Sequence, residues 1–211
     1  MGLMGYDAIG VGERELGFGV AKLRALSASS KLPALSANLM DRKSGDPVFK
    51  PYVIVRKGPL NVGVFSVIGP KIDLPAELVA TNPFEAARAT VAELRKQCDV
   101  VVALAHLGRV EGEDLAAQVP GIDVVILAHH PGFVGQGRRV KDAVTVASGE
   151  QIQNMGVTLL KLDGKKVSGL SSESVILLPE VGERADVARQ VKNFEDAQNA
   201  RFKKQQAGNS L

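Results

Sequence analysis

The chain of 211 residues has no tryptophan, two tyrosines and one cysteine, and aromatic residues make up only 4% of it. With so few rings it cannot build the successive stacking platforms on which single-stranded nucleic acid is held. One thiol cannot form an internal disulfide, and Cys98, which closes a helical pattern just before an apolar run, reads as a small half-buried residue. No stretch approaches the roughly eighteen consecutive apolar residues of a membrane helix. The opening MGLMGYDAIGVG lacks the basic leader, long apolar core and cleavage site of a secretory signal. The net charge of +3 is not gathered on one face: Arg201, Lys203 and Lys204 lie near the carboxyl end and the other basic residues are interspersed with acids. No nucleic-acid surface is visible in that distribution.

What is present is a hydrophobic content of 45%, enough for one sizeable core. The sequence predicts one domain over residues 1–179, followed by a carboxyl-terminal helix and polar tail over 180–211. Asp7 to Val11 reads as a short strand with no preceding element to cover it, which predicts further sequence upstream. Gly17 to Ser30 carries helical spacing, and Leu35 to Leu39 reads as a strand. Pro51 to Arg56 and Asn61 to Ile68 alternate around Lys57-Gly58-Pro59, a hairpin signal. Asn82 and Pro83 mark a helix start, with the helix running to about Gln97. Asp99 to Ala105 and Asp123 to Ala128 are continuous apolar runs, joined by a short helix over Glu113 to Val119. Strands buried on both faces of a parallel sheet have this composition. Val144 to Ser148, Gly156 to Leu162 and Val167 to Leu178 read as antiparallel strands, the last two turning at Asp163-Gly164. Beyond Pro179, the stripe Val181, Ala185, Ala188, Val191, Phe194 and Ala197 predicts a final helix.

Histidine is also scarce, and its placement is the strongest signal in the chain. All three residues fall at the ends of the two apolar runs, His106 in VVALAHLG and His129 and His130 in VVILAHHPG. Strands that end this way deliver imidazoles to the carboxyl edge of a sheet, where open α/β folds bind their ligands. A third cluster, Gly10-Val11-Gly12-Glu13-Arg14-Glu15, follows the first strand. It is a poor dinucleotide fingerprint, because Glu15 stands where the third glycine should be and two carboxylates would repel a pyrophosphate. It reads either as a solvated loop or as the source of a carboxylate for the imidazoles. A His, His, Glu set supplies three ligands and leaves positions open for water and substrate, the minimum for metal-assisted hydrolysis.

The order of strand, Gly-x-x-Glu loop, helix, LSANL, FKPYVIV, NVGVFSVIG, DVVVALAHLG and GIDVVILAHHPG resembles the 5'-nucleotidase branch of the calcineurin-like metallophosphoesterases, over about Gly5 to Leu178. Gly12 and Glu15 match the flanks of that family's Gly-Asn-His-Glu loop, His106 its middle histidine and His129 the first histidine of its last motif. Glu13 stands in place of a metal-binding Asn, Arg14 in place of the His that assists phosphoryl transfer, and Pro131 in place of the final metal-binding His, with His130 beside it as a substitute. The family's opening Asp-x-His and Gly-Asp motifs and its carboxyl-terminal nucleotide-binding domain have no counterpart in these residues.

The resemblance implies an α/β/β/α sandwich with mixed sheets that lacks its first strand-helix unit. It implies a divalent metal, Mn, Zn or Mg, and one ion rather than two, with Glu13, His106, His129 and His130 as ligands and Arg14 as a charge clamp on phosphate. It further implies a small phosphoester as substrate, an upstream segment or a carboxyl-terminal substrate domain as partner, and a periplasmic or extracytoplasmic setting. Three readings stay open: a divergent phosphohydrolase, a non-catalytic metal-binding or interaction module of the same fold, and a relative that cleaves cyclic nucleotides or sulfur esters.

Overall fold

The structure is a computed structural model, which describes residues 1–129, 133–149, 152–164 and 166–208. In chain order the strands are β1 (Ile9–Gly10), β2 (Ala34–Leu35), β3 (Leu39–Asp41), β4 (Tyr52–Lys57), β5 (Leu60–Ile68), β6 (Leu78–Ala80), β7 (Val100–His106), β8 (Val124–Leu127), β9 (Phe133–Val140), β10 (Ala143–Ser148), β11 (Asn154–Asp163) and β12 (Lys166–Ile176). The helices are α1 (Val20–Ser30), α2 (Pro83–Leu94), α3 (Arg109–Gln118) and α4 (Ala185–Gly208). No helix among the described residues is long and apolar enough to cross a membrane.

The main sheet has six strands in the order β4-β5-β7-β8-β10-β9. Its four inner strands run parallel, and β4 and β9 pair antiparallel at the two edges. Alternation along the inner strands divides the side chains between two faces. Phe65, Val67, Val101, Ala103, Ala105, Val125 and Leu127 turn to one face and are buried with Ala87, Val91 and Leu94 of α2 and Leu115 and Ala116 of α3. Burying each of the larger side chains contributes about 1.5–3 kcal/mol, so this layer is the main source of stability. Cys98 belongs to the same cluster, more deeply buried than its sequence context predicts.

The opposite face carries a thinner second layer. β1 and β2 pair in parallel and lie over β5 and β7, while the antiparallel hairpin β11–β12 lies over β10 and β9. Leu23 of α1 joins Val11, Ala34, Leu39 and Ile68 in a second buried cluster, which completes the α/β/β/α order of layers. Between the two strand pairs the cover is incomplete: Ile126, on the inner strand β8, is 40% exposed although Val125 and Leu127 beside it are buried.

Several elements depart from the sequence reading. Leu35 to Leu39 is not one strand, because the wholly buried Asn38 ties the chain down between β2 and β3. Its amide donates to the carbonyls of Ile68 and Thr81, both at 2.8 Å, and its oxygen accepts from Ile68 N at 2.9 Å. A buried amide with those partners satisfied fixes a bend where apolar pattern alone suggests continuity. α3 starts at Arg109 rather than Glu113, with Gly108 as its cap and Glu111 in the favourable first turn. Val144 to Ser148 is an inner strand of the main sheet, parallel to β8, and its antiparallel partner β9 went unread because FVGQGRRV has no apolar run. α2 ends at Leu94, three residues short of Gln97; at its start Asn82 Oδ1 accepts from Phe84 N at 2.9 Å and Glu85 N at 3.3 Å. The α4 stripe is formed but largely uncovered, with Val191 51% and Phe194 63% exposed.

Candidate metal centre

Three chain segments arrive at one edge of the sandwich: the loop after β1, the end of β7 and the residues after β8. His106 closes β7 opposite Ile68 of β5, on the sheet face that looks toward β1. β1 lies unusually close to that face. A Cβ at Gly10 would stand 2.7 Å from Ser66 Oγ and 3.1 Å from Leu104 Cβ, so only glycine permits the approach. At Gly12 the constraint concerns the site itself, because a Cβ there would meet His106 Cε1 at 2.5 Å. The backbone of the loop is therefore laid against the imidazole. Leu16, 2% exposed, anchors the turn that follows.

The loop places Glu13 against both imidazoles. His106 Nε2 donates to Glu13 Oε2 at 2.6 Å, and His129 Nδ1 stands 3.9 Å from the same oxygen. The two rings are 5.0 Å apart between centroids and tilted by 55°. His129 holds this position with φ of 59°, a left-handed conformation that costs a residue with a Cβ roughly 1–2 kcal/mol. Burial pushes the Glu13 carboxyl up, but its own backbone N–H, the hydrogen bond from His106 and the fields of both imidazoles outweigh it and hold the group below the usual carboxylate range. Glu13 is thus an anion at neutral pH.

Sequence reasoning named Glu13, Arg14, His106, His129 and His130. The structure brings Glu13, His106 and His129 together, their ligand atoms all within 4.8 Å of one another, the only such group of three among the described residues. Arg14 is exposed and does not belong to that group. His130 and Pro131 lie outside the described residues. Glu15, the other carboxylate of the loop, is engaged internally: its Oε2 accepts from Gly12 N at 2.9 Å, which braces the turn against His106. What the sequence did not suggest is a groove of about 530 Å³ beside the centre, bordered by His129, Ile72, Phe84, Leu107 and Glu111. Its residues come from four separate segments and share no motif; the one available hint was the Asn82-Pro83-Phe84 helix start.

The donor set fits a divalent transition metal. Two imidazoles and a carboxylate are the ligand types that zinc and its neighbours take, with open positions remaining. The side chains are half-buried, 18% exposed for His106, 27% for Glu13 and 32% for His129, so the centre is walled yet accessible. The hydrogen bond between Glu13 and His106 holds two of the ligands together, and a bound cation would replace it.

No family model matches the chain. It is 30% identical over 154 residues to a 2',3'-cyclic-nucleotide 2'-phosphodiesterase/3'-nucleotidase of Yersinia enterocolitica, a match covering 61% of the chain and 24% of that enzyme. A 5'-nucleotidase precursor from Thermus thermophilus superimposes with a TM-score of 0.80 at 22% identity, over 92% of this chain and 44% of that one. The sulfate thiohydrolase SoxB of the same organism gives 0.81 at 25% identity, over 96% and 38%. The fold is that of the calcineurin-like metallophosphoesterases. By sequence the chain is similar to 5'-nucleotidases and cyclic-nucleotide phosphodiesterases, and it spans about a quarter of the length of the curated relatives it matches.

Proposed function

We propose that the chain is a divergent metal-dependent phosphoester hydrolase that works with one divalent cation, Mn, Zn or Mg, held by Glu13, His106 and His129. The observation that supports this most is the convergence of those three side chains, from three separate segments, at the edge of the sheet where this fold class carries its chemistry. A cation bound there would supply Lewis-acid polarisation of the phosphoryl oxygens. Glu13 contributes a full negative charge, which strengthens the hold on a cation and opposes an incoming phosphate. Arg14 is the next residue and is exposed, and in this reading its guanidinium offsets that repulsion by pairing with phosphate oxygens. His106 is fixed by Gly12 and Glu13, so it meets a ligand with little reorganisation. With one cation in place of two, the attacking and leaving oxygens are not both stabilised, and slow turnover is expected.

The second reading is a non-catalytic module of the same fold, favoured by the closed Glu13 to His106 hydrogen bond and by the single ligand group among the described residues. One experiment separates the two. Protein purified without chelator is assayed on an aryl phosphate and a panel of nucleoside monophosphates with added Mn, Zn or Mg, beside the His106→Ala, His129→Ala double variant, and both are submitted to elemental analysis. The hydrolase reading expects near-stoichiometric metal and turnover, both lost in the variant and turnover abolished by EDTA. Metal without turnover establishes the module, and equal trace metal in both proteins removes the centre altogether.

A further inference from the structure

The main sheet ends in two unlike edges. β9, on one side, is a poor template for a further strand: its register against β10 slips between Thr145 and Ala147, and it carries the exposed Arg138 and Arg139 beside Gly137. Bulges and charges of that kind keep an edge from pairing with another chain. β4, on the other side, has neither along its centre. Tyr52-Val53-Ile54-Val55 runs in unbroken antiparallel register with β5, and all four side chains are only half-buried. The tight turn pairs Lys57 with Leu60, and from there hydrogen-bonded and non-hydrogen-bonded pairs alternate. Val53 and Val55 therefore direct their backbone groups to β5, and those of Tyr52, Ile54 and Arg56 point away from the sheet.

We propose that β4 pairs with β4 of a second copy of this chain, antiparallel about a two-fold axis at Ile54, and so joins two main sheets into one. The occupant follows from the self-complementarity of the strand. In that register Ile54 lies opposite its own counterpart, Tyr52 opposite Arg56, and Val53 opposite Val55. The outward-pointing backbone groups of Tyr52, Ile54 and Arg56 then meet one another, so each donates and accepts across the axis. On the helix side, where Tyr52 and Ile54 pack against the main core, the Tyr52 ring meets the Arg56 guanidinium, a favourable pairing of a cation with an aromatic face. On the other side two branched apolar side chains meet, a packing that suits a sheet. No two like charges face each other: Lys57 falls opposite Pro51, and its ammonium is already paired with Asp7 Oδ2 at 2.8 Å. The contact lies two strands away from β7, so it leaves Glu13, His106 and His129 of each copy open and does not depend on the phosphohydrolase reading.

Analytical ultracentrifugation of the full chain from about 1 µM to about 1 mM, a span suited to small, reversible interfaces, tests this beside one proline and two cysteine variants. The expected result for the wild type is an equilibrium between monomer and dimer that moves toward the dimer with concentration. Arg56→Pro removes an N–H that points away from β5, so it costs the monomer no ladder bond. It should weaken the dimer by about tenfold or more, because the symmetric contact loses that bond twice. Ile54→Cys puts a thiol on the two-fold axis, with its counterpart's Cα about 5.5 Å away and within disulfide range, so mild oxidation should cross-link it. Arg56→Cys faces Tyr52 of the second copy and should not cross-link. Cys98 is buried and common to both variants. If Arg56→Pro does not fold, the two cysteine variants decide. A chain that stays monomeric at every concentration overturns the proposal, as does equal cross-linking of the two cysteine variants. A dimer that a folded Arg56→Pro leaves as strong also overturns it and places the contact on another surface, such as the exposed stripe of α4.

Discussion

The two faces of the main sheet are made by the same strands and differ in almost everything else. On the helix side Val101, Ala103, Ala105 and Val125 are completely buried, under α2 and α3. On the other side Val102 and Leu104 are only partly covered and Ile126 is open to solvent. The first face is packed throughout and carries no chemistry. The second is covered in patches by β1–β2 and β11–β12, and His106 emerges from it. The main core and the candidate metal centre therefore lie on opposite sides of single strands, and alternate residues along β7 and β8 should respond to substitution in different ways.

The largest expected effect lies on the packed face. Leu127→Ala removes a side chain that is 4% exposed from beneath α3, and should lower unfolding free energy by about 2–5 kcal/mol in urea titrations. A loss below about 1 kcal/mol would show that the helix face is not the stabilising one. On the functional face the equivalent test is Gly12→Ala. The added methyl group would occupy the space of the His106 ring, so the ring or the loop must move and Glu13 lose its alignment. Metal affinity should fall roughly 10- to 100-fold, the range seen when groups that orient ligands are disturbed, as read by competition with a chromophoric chelator. An unchanged affinity would mean that the loop does not organise the centre.

His129 sharpens the comparison, because there the two demands oppose each other. Its left-handed backbone is held by a residue whose Cβ is strained there, and glycine would relieve that strain. His129→Gly should therefore leave global stability unchanged or raise it by up to about 1 kcal/mol, even though it removes a ligand and lowers metal content. If it destabilises the apo protein by more than about 1 kcal/mol, the conformation is not strained and the ring has a packing role instead.

How much of this was legible in the sequence follows from the same division. The apolar runs ending at His106 and His129 announced buried parallel strands and imidazoles that meet at their ends, because both signals are local: composition along the strand and residue type at its tip. The carboxylate of Glu13 was legible once the loop was placed after a strand. Asn38 was not, since its importance lies in hydrogen bonds to Ile68 and Thr81, thirty and forty-three residues away. β9 was hidden by its polar, glycine-containing sequence, which only an edge position tolerates. The groove was invisible for a related reason, as Ile72, Phe84 and Leu107 are unremarkable residues in their own segments and become a surface only when separate segments meet.

The smallest expected effect is the most discriminating for the thin face. Ile126 lies on an inner strand, has high β propensity and would be read from sequence alone as core, yet it is 40% exposed. Ile126→Thr keeps the branched β-carbon that suits a strand and removes little buried area, and should cost under about 1 kcal/mol. Val125→Thr, one residue away and completely buried, places a hydroxyl among apolar side chains and should cost about 1–3 kcal/mol. The ratio between the two is the measurement, because both substitutions act on the same strand with the same new side chain, and the one that removes more hydrocarbon, Ile126→Thr, is on the open face and is the one expected to cost less. Equal losses would mean that the second layer covers β8 as fully as the helices do, and that the open face from which His106 reaches its site is closed in solution.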